Sequence, residues 1–174
     1  MNPKLSINHD NVSLLKETIE LLKSISIEIY THQSMLFNAD TPGAHVRHII
    51  EHYELFLEGL STGHINYDLR KRNLKLSSDP KIAIKQVEEI IGQIKILSPE
   101  NLSLLIDIKM DTGNVCDAVN TSVGRELQFL WSHHVHHNAI IRMIIESSGE
   151  AVIKNYGVAA STIKYQQTKN QCAH

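Results

Sequence analysis

Eleven of the 174 residues are histidines, and seven of them lie in two short segments of the chain. The segment GAHVRHIIEH contains His45, His48 and His52, and the segment SHHVHH contains His133 and His137, four residues apart. On an α-helix this spacing of four places two side chains on one face, about 40° apart around the axis. Two imidazoles placed in this way aim at a common point, which is typical of a pair of metal ligands.

The pair His133 and His137 alone also fits a surface cluster that binds no metal. The other segment favours a metal site, because its spacing places three histidines on one face of a second helix. Bundle helices pack with axes about 8 to 10 Å apart, a gap that a metal with imidazole ligands at about 2.0 to 2.1 Å can bridge. Three protein ligands leave positions open for water or substrate, as in catalytic sites. Spacing by itself does not choose among His45, His48 and His52.

Glu126 shares the predicted core-facing stripe of the helix that carries His133 and His137. We interpret it as a carboxylate that orients a ligand imidazole, with a general base near bound water as the alternative. His134 and His136 fall on the flanks of this stripe, where contact with solvent or a hydrogen bond to a ligand is expected.

Four long helices are predicted to carry these residues. Apolar residues at steps of three and four predict the first helix from Asn11 to Thr31. A polar N-cap residue before a proline predicts the start of the second and third helices, and Thr121 or Ser122 is predicted to cap the fourth. The second, third and fourth predicted helices span Pro42 to Leu60, Pro80 to the stop at Ser98 and Pro99, and Val123 to Ser147.

Two irregular segments separate the later helices. Ser61 to Ser78 has no sustained period and is interpreted as an ordered crossover connection. It can bring Tyr67, Asp68 and Arg70 over the mouth of the bundle, although such a charge cluster is more often a solvated ion-pair network. Between Leu102 and Ala118, a short β-branched sequence is split by turn-forming residues and predicts a small hairpin. The turn residues are Thr112, Gly113 and Asn114.

These elements predict an all-α fold, a four-helix bundle with a short irregular or hairpin insertion before the last long helix, in one domain over residues 1–174. The net charge of −2, with no basic stripe, argues against nucleic acid as a partner. No apolar run approaches the about 20 residues that a membrane helix needs. Cys116 and Cys172 do not form a disulfide framework and the N-terminus lacks a secretory apolar region, so a cytoplasmic protein is expected.

The chain resembles the DinB-like (DinB/YfiT) metalloprotein superfamily over nearly its whole length. The resemblance is carried by the long helical bundle, by GAHVRHIIEH in the second helix, and by RELQFLWSHHVHHNAI in the fourth. It implies an up-down-down-up bundle that holds a metal with His48, His133 and His137, and it favours His48 over its two neighbours. Many members continue the second motif as His-Arg-Gly-Gln, whereas Asn138 and Ala139 follow His137 in this chain.

The same arrangement of three histidines occurs in the iron-binding half of the ergothioneine-type sulfoxide synthases, so the resemblance implies iron, zinc or nickel. Several DinB-like relatives are thiol-dependent transferases or isomerases. The implied function is therefore a metal-dependent transferase or hydrolase that activates a low-molecular-weight thiol or water against a small-molecule substrate. A non-catalytic metal- or ligand-binding protein and a dimeric helical scaffold without metal are the alternatives. A homodimer is the expected assembly.

Overall fold

A computed structural model of the chain describes residues 6–111, 113 and 117–171. Both cysteines, Cys116 and Cys172, and the predicted turn residues Thr112 and Asn114 lie outside the described residues. The helices are, in chain order, α1 (Ile7–Ser24), α2 (Ile27–Tyr30), α3 (Pro42–Gly59), α4 (Leu74–Ser78), α5 (Pro80–Lys95), α6 (Pro99–Leu102), α7 (Val123–Ser147) and α8 (Ala160–Gln171).

The four long helices α1, α3, α5 and α7 form the predicted bundle. Helices α1 and α3 each pack against both α5 and α7, which closes a ring of four around one apolar core. Burying each Val, Leu or Ile side chain of such a core contributes about 1.5 to 3 kcal/mol. The four-helix bundle is therefore confirmed, and the up-down-down-up order of helix directions stays a prediction. No helix among the described residues is long and apolar enough to span a membrane.

The long helices that carry histidines begin where the sequence predicts. The side chain of Thr41 accepts a hydrogen bond from the backbone N–H of Ala44 at 2.9 Å, directly before Pro42. The side chain of Ser122 accepts one from the backbone N–H of Arg125 at 3.3 Å. These caps satisfy N–H groups that the first turn of a helix leaves without partners, so they fix where α3 and α7 start.

The first predicted helix is interrupted. Ile25 is extended, with φ −101° and ψ 152°, and the side chain of Ser26 accepts a hydrogen bond from Ile29 N–H to begin α2. A serine side chain that bonds a nearby backbone N–H competes with continuation of a helix. The prediction of one helix from Asn11 to Thr31 is therefore wrong at residues 25–26, although the apolar period runs through them.

A small three-stranded sheet lies beside the bundle, with strands β1 (His64–Asn66), β2 (Leu105–Lys109) and β3 (Val119–Ser122). Strands β2 and β3 pair in an antiparallel manner, as a hairpin requires, but the predicted limit at Ala118 is wrong because all of β3 lies beyond it. Strand β1 pairs in parallel with β2, so the connection after α3 is more regular than predicted. Because β3 leads directly into α7, the sheet adjoins the N-terminal end of the helix that carries His133 and His137.

Candidate metal centre

Three histidines from two helices meet at the packed surface between α3 and α7. His48 comes from α3, and His133 and His137 come from α7. Each offers one ring nitrogen, and the three nitrogens all lie within 4.8 Å of one another. The Nε2 atoms of His48 and His133 are 3.0 Å apart, and the ring centroid of His137 lies 4.4 Å from that of His48 and 4.5 Å from that of His133.

The packing of α3 on α7 explains why the two histidine faces meet. On each helix most of the fully buried residues are apolar and form a stripe, with Ile49 and Ile50 on α3 and Leu130 and Ile141 on α7. The three clustered histidines lie beside these stripes and are half-buried. Each imidazole is thus partly withdrawn from water while its ring faces the opposite helix.

The three rings are neutral at neutral pH. Burial, followed by the neighbouring imidazoles, lowers the pKa of His133 to about 4 and that of His137 to about 3. Burial, with the charges of His52, His137, Arg70 and His133, lowers the pKa of His48 to about 2. A neutral imidazole keeps the lone pair that a metal needs, and bringing several uncharged donors together costs less than bringing cations together.

Arg70 determines the position of the proton on His48. Its Nη1 lies 2.5 Å from Nδ1 of His48, and a guanidinium only donates hydrogen bonds, so Nδ1 accepts. The proton of the neutral ring is then on Nε2 and points toward Nε2 of His133, 3.0 Å away. The sequence left two alternatives for Arg70, a position over the mouth of the bundle and a solvated ion-pair network, and the structure brings its guanidinium onto a predicted ligand.

His45 lies behind His137, on the other side of the cluster. The Nδ1 atoms of the two rings are 2.9 Å apart, which is hydrogen-bond distance. The Nε2 atom of His45 is buried without a hydrogen-bond partner among the described residues, and it lies 3.8 Å from Oδ2 of Asp40. In a metal site, the ring nitrogen of a histidine that does not bind the metal is usually hydrogen-bonded to a neighbour, which orients the ring. The Nδ1–Nδ1 contact would allow His45 to orient His137 in this way.

His52 completes the face on α3. Its Nδ1 lies 2.8 Å from the backbone oxygen of His48 and donates to it, so Nε2 keeps its lone pair. Its ring centroid is 4.2 Å from that of His48 and 4.5 Å from that of His133. On its other side His52 stacks on Tyr67, with ring centroids 5.4 Å apart.

Glu126 is buried but reaches the cluster only through another side chain. Its Oε2 accepts a hydrogen bond from the hydroxyl of Tyr67 at 3.0 Å, and its Oε1 accepts one from Thr121 at 2.8 Å. The expected direct orientation of an imidazole by Glu126 is thus replaced by a contact with Tyr67, the ring that stacks on His52. Its role as a general base stays a prediction.

The placement of His134 corrects the predicted orientation of α7. His134 is fully buried, with Nε2 2.8 Å from Oγ1 of Thr18 and Nδ1 3.4 Å from the hydroxyl of Tyr53. It sits at the centre of the buried face, and His133 lies at its edge. The expectation that His134 lies on the flank, in contact with solvent or hydrogen-bonded to a ligand, is wrong. His136 is exposed, as expected.

The donor set fits a divalent transition metal. A tetrahedral ion with nitrogen ligands at about 2.0 to 2.1 Å places any two of them about 3.3 Å apart. The Nε2 atoms of His48 and His133 are already 3.0 Å apart. Imidazole suits zinc, iron and nickel, so the cluster of His48, His133 and His137 is compatible with metal binding.

Of the comparisons with known proteins, the one with solved structures supports the fold. No protein family model matches the chain. FK506-binding protein 5 of Rhizopus delemar is 30% identical over 108 residues, which are 58% of this chain and 27% of that protein. The chain therefore spans little more than a quarter of the curated relative that it matches. The crystal structure of a DinB-like protein from Bacillus subtilis, YjoA, is similar with a TM-score of 0.64 and 19% identity, over 83% of this chain and 93% of that one.

Proposed function

We propose that this chain, which has the DinB-like fold, is a metal-dependent protein in which His48, His133 and His137 hold one divalent zinc, nickel or iron ion. The observation that carries the proposal is the convergence of three neutral imidazoles from two helices, with ligand nitrogens within 4.8 Å of one another. Their lowered pKa values support it, because the rings need not lose a proton to become ligands at neutral pH.

The proposed activity is transfer of a low-molecular-weight thiol to an electrophilic small molecule, with hydrolysis as the alternative reaction. A divalent metal lowers the pKa of a coordinated thiol or water and so supplies a nucleophile near neutral pH. Three histidine ligands support this proposal, because they leave positions for such a group. In the proposed site His45 orients His137 through the Nδ1–Nδ1 contact of 2.9 Å, and Glu126 holds Tyr67 against His52.

A closed, non-catalytic metal site is the second candidate, and the geometry of His52 favours it. The Nδ1–H of His52 is used by the backbone oxygen of His48, and the ring lies beside both His48 and His133. If Nε2 of His52 became a fourth ligand, the site would have the four protein donors of a structural metal site. The same protein would then bind metal without admitting substrate.

Cobalt substitution distinguishes the two candidates. Tag-free protein is loaded with Co²⁺, and 2-mercaptoethanol is added while the visible and near-ultraviolet absorption is recorded. An open site predicts a thiolate-to-cobalt absorption band and a changed visible spectrum. A fully loaded protein whose spectrum ignores high thiol concentrations would contradict the enzyme proposal and support the closed site. His133→Ala is the control for nonspecific cobalt, and turnover of electrophiles with added thiols then tests transfer itself.

A further inference from the structure

We infer that Arg70 is the residue that selects an anionic ligand for this site, and that the metal releases it for this task. The inference rests on the proposed metal binding by His48, His133 and His137. It adds the chemical class of the ligand: a small molecule with a thiol or oxygen donor for the metal and a carboxylate, phosphate or similar anionic group a few atoms away.

The first observation is that Arg70 has an unusual partner. It lies in the connection between β1 and α4, is half-buried, and donates to the neutral imidazole of His48 at 2.5 Å. Among the described residues no carboxylate forms an ion pair with it. A guanidinium prefers a bidentate carboxylate or phosphate, so the contacts within the described part of the chain leave most of its pairing capacity unused.

Two neighbouring charges of the same connection are engaged elsewhere. Lys71 forms an ion pair with Glu58 at 2.5 Å, and Oδ2 of Asp68 accepts a hydrogen bond from the backbone N–H of Asp111 at 2.7 Å. A solvated network of mutually paired charges therefore describes Lys71 and Asp68 better than it describes Arg70. The guanidinium instead reaches inward to the histidine cluster.

This contact implies that Arg70 and a metal would compete for the ring of His48. With Arg70 donating to Nδ1, the proton of His48 is on Nε2. Nε2 could bind a metal only after this proton had moved to Nδ1, and a protonated Nδ1 could no longer accept a hydrogen bond from Arg70. A metal that takes Nδ1 displaces Arg70 directly. On either nitrogen, metal binding costs the guanidinium its hydrogen bond to His48.

Once it has lost this hydrogen bond, the guanidinium of Arg70 would be a second positive charge near the metal, with the imidazole ring of His48 between the two. An anionic group on the bound ligand offsets the repulsion between the two cations and gives Arg70 a charge-assisted partner in place of His48. A neutral ligand of the same size gains only the bond to the metal. The site should therefore discriminate between ligands by charge, and this discrimination should depend on Arg70.

Three thiols of similar size test this inference on the cobalt-loaded protein: 2-mercaptoethanesulfonate, 2-mercaptoethanol and cysteamine. Their dissociation constants are read from the cobalt spectrum, so no enzyme activity is needed. We expect the sulfonate to bind about tenfold tighter than the alcohol, and the cationic amine to bind weakest. In Arg70→Gln the preference should disappear. Arg72→Gln, an exposed arginine two residues away, is the matched control and should keep it.

Cobalt affinity gives a second readout that a purely structural role would not produce. Arg70→Gln should bind Co²⁺ several-fold tighter than the wild type, because His48 loses a competitor and the site loses a positive charge. A merely structural arginine predicts weaker binding on removal. Arg70→Lys keeps the positive charge but not the planar set of N–H donors of the guanidinium, so it should retain part of the preference for the sulfonate. This conservative variant also disturbs the fold least.

Competition identifies the natural anionic group. Acetate and inorganic phosphate are each titrated against 2-mercaptoethanesulfonate, and the stronger competitor indicates a carboxylate or a phosphate ligand. Equal binding of the sulfonate and the alcohol to wild type, or a preference that survives in Arg70→Gln, would overturn the role of Arg70 and leave the metal proposal intact. Failure of the wild type to bind cobalt at all would overturn both.

Discussion

His48 uses both of its ring nitrogens before any metal binds. Nδ1 accepts a hydrogen bond from Arg70 and Nε2 faces His133, so a guanidinium and an imidazole both contact a single half-buried ring. Burial and the neighbouring charges lower its pKa to about 2, which keeps the ring uncharged throughout the neutral range. A divalent ion would replace these imidazole-to-imidazole contacts with stronger metal–nitrogen bonds, which is why we regard His48 as the pivotal ligand.

Replacing His45 tests how the third ligand is oriented. His45→Ala removes the contact between its Nδ1 and Nδ1 of His137, and we expect metal affinity to fall about 10- to 100-fold. Zinc competition with a chromophoric chelator measures the loss. His136→Ala is the control, since this exposed side chain lies on the same helix as His137. Equal effects of the two substitutions would show that the 2.9 Å contact does not orient His137.

Replacing His134 should affect stability far more than metal binding. His134→Ala leaves a cavity and removes partners from Thr18 and Tyr53, so we expect the free energy of unfolding to fall by roughly 2 to 4 kcal/mol. Urea denaturation followed by the fluorescence of Trp131, the single tryptophan, measures this. At temperatures where the variant is folded, its zinc affinity should stay within a few-fold of wild type. Loss of zinc without loss of stability would contradict the structural role.

At the scale of residues, the sequence predicts correctly that the histidines of α3 and α7 meet, but it is wrong about which face of α7 is buried. Spacing brings His133 and His137 to one face and to the histidines of α3, and the structure places them there. Their role as ligands stays a prediction. The burial of His134 was not predicted because the core-facing stripe of the helix was centred on His133. The buried residues Leu127, Leu130 and Ile141 place the centre of that stripe nearer His134. Those apolar neighbours were the signal that could have located it.

At the scale of elements, α3 depends on a close approach that only glycine allows. A Cβ on Gly43, in the first turn of α3, would lie 2.2 Å from the backbone oxygen of Ser77 in α4. This contact seats α4 on the start of α3, and the connection that ends in α4 carries Arg70. Packing of the two helices therefore supports the position of the guanidinium as well as the fold.

A matched pair of glycine substitutions tests this packing. Gly43→Ala should lower the free energy of unfolding by roughly 2 kcal/mol or more, because backbone must move to admit the methyl group. Gly92→Ala is the control in α5, where nothing lies within 4 Å of the added Cβ, and it should stabilise the protein by about 0.5 to 1 kcal/mol. Thermal unfolding of the two variants compares them. A neutral Gly43→Ala would show that the approach is not tight.

The element boundaries that the sequence could predict are those set by local chemistry. Thr41 with Pro42, and Ser122, mark the starts of α3 and α7 because capping depends on residues three or four apart. Strand β1 could not be predicted in the same way, because its partner β2 lies about 40 residues later and the pairing is parallel. Parallel pairing between distant segments depends on the tertiary structure, so the three residues of β1 carry no local sequence pattern that would predict it.

At the scale of the whole molecule, the buried histidines make stability depend on pH. Burial lowers the pKa of His134 from 6.5 to about 3, so between these values the unfolded chain binds a proton that the folded chain does not. The free energy of unfolding therefore falls as the pH falls from about 6.5 toward 3, by about 1.4 kcal/mol per pH unit from His134 alone. Above about pH 7, His134 no longer makes the free energy of unfolding depend on pH.

Urea midpoints of metal-free protein between pH 4 and pH 8 would test this dependence. We expect a plateau near neutrality and a steep decline below about pH 6, because His48, His133 and His137 add to the effect in the same direction. In His134→Gln the decline should be shallower, since one proton fewer is taken up on unfolding. A midpoint that is constant from pH 4 to pH 8 would contradict the burial of neutral histidines.

The assembly and location of the protein stay predictions at this scale. A homodimer is expected, and light scattering on gel-filtered protein would give a mass near twice 19.7 kDa if it forms. The cluster of His48, His133 and His137 lies within one chain, since its two helices belong to the same bundle. We therefore expect metal stoichiometry per chain to be the same at protein concentrations that favour monomer or dimer.

The most direct test of the central claim is the metal content of tag-free protein. Wild type and His133→Ala are reconstituted with zinc, separated from free ion by gel filtration, and analysed by inductively coupled plasma mass spectrometry. We predict about one zinc per chain for wild type and almost none for His133→Ala, because two imidazoles alone hold the ion weakly. Almost no zinc in the wild type, or equal zinc in both proteins, would contradict a metal centre at His48, His133 and His137.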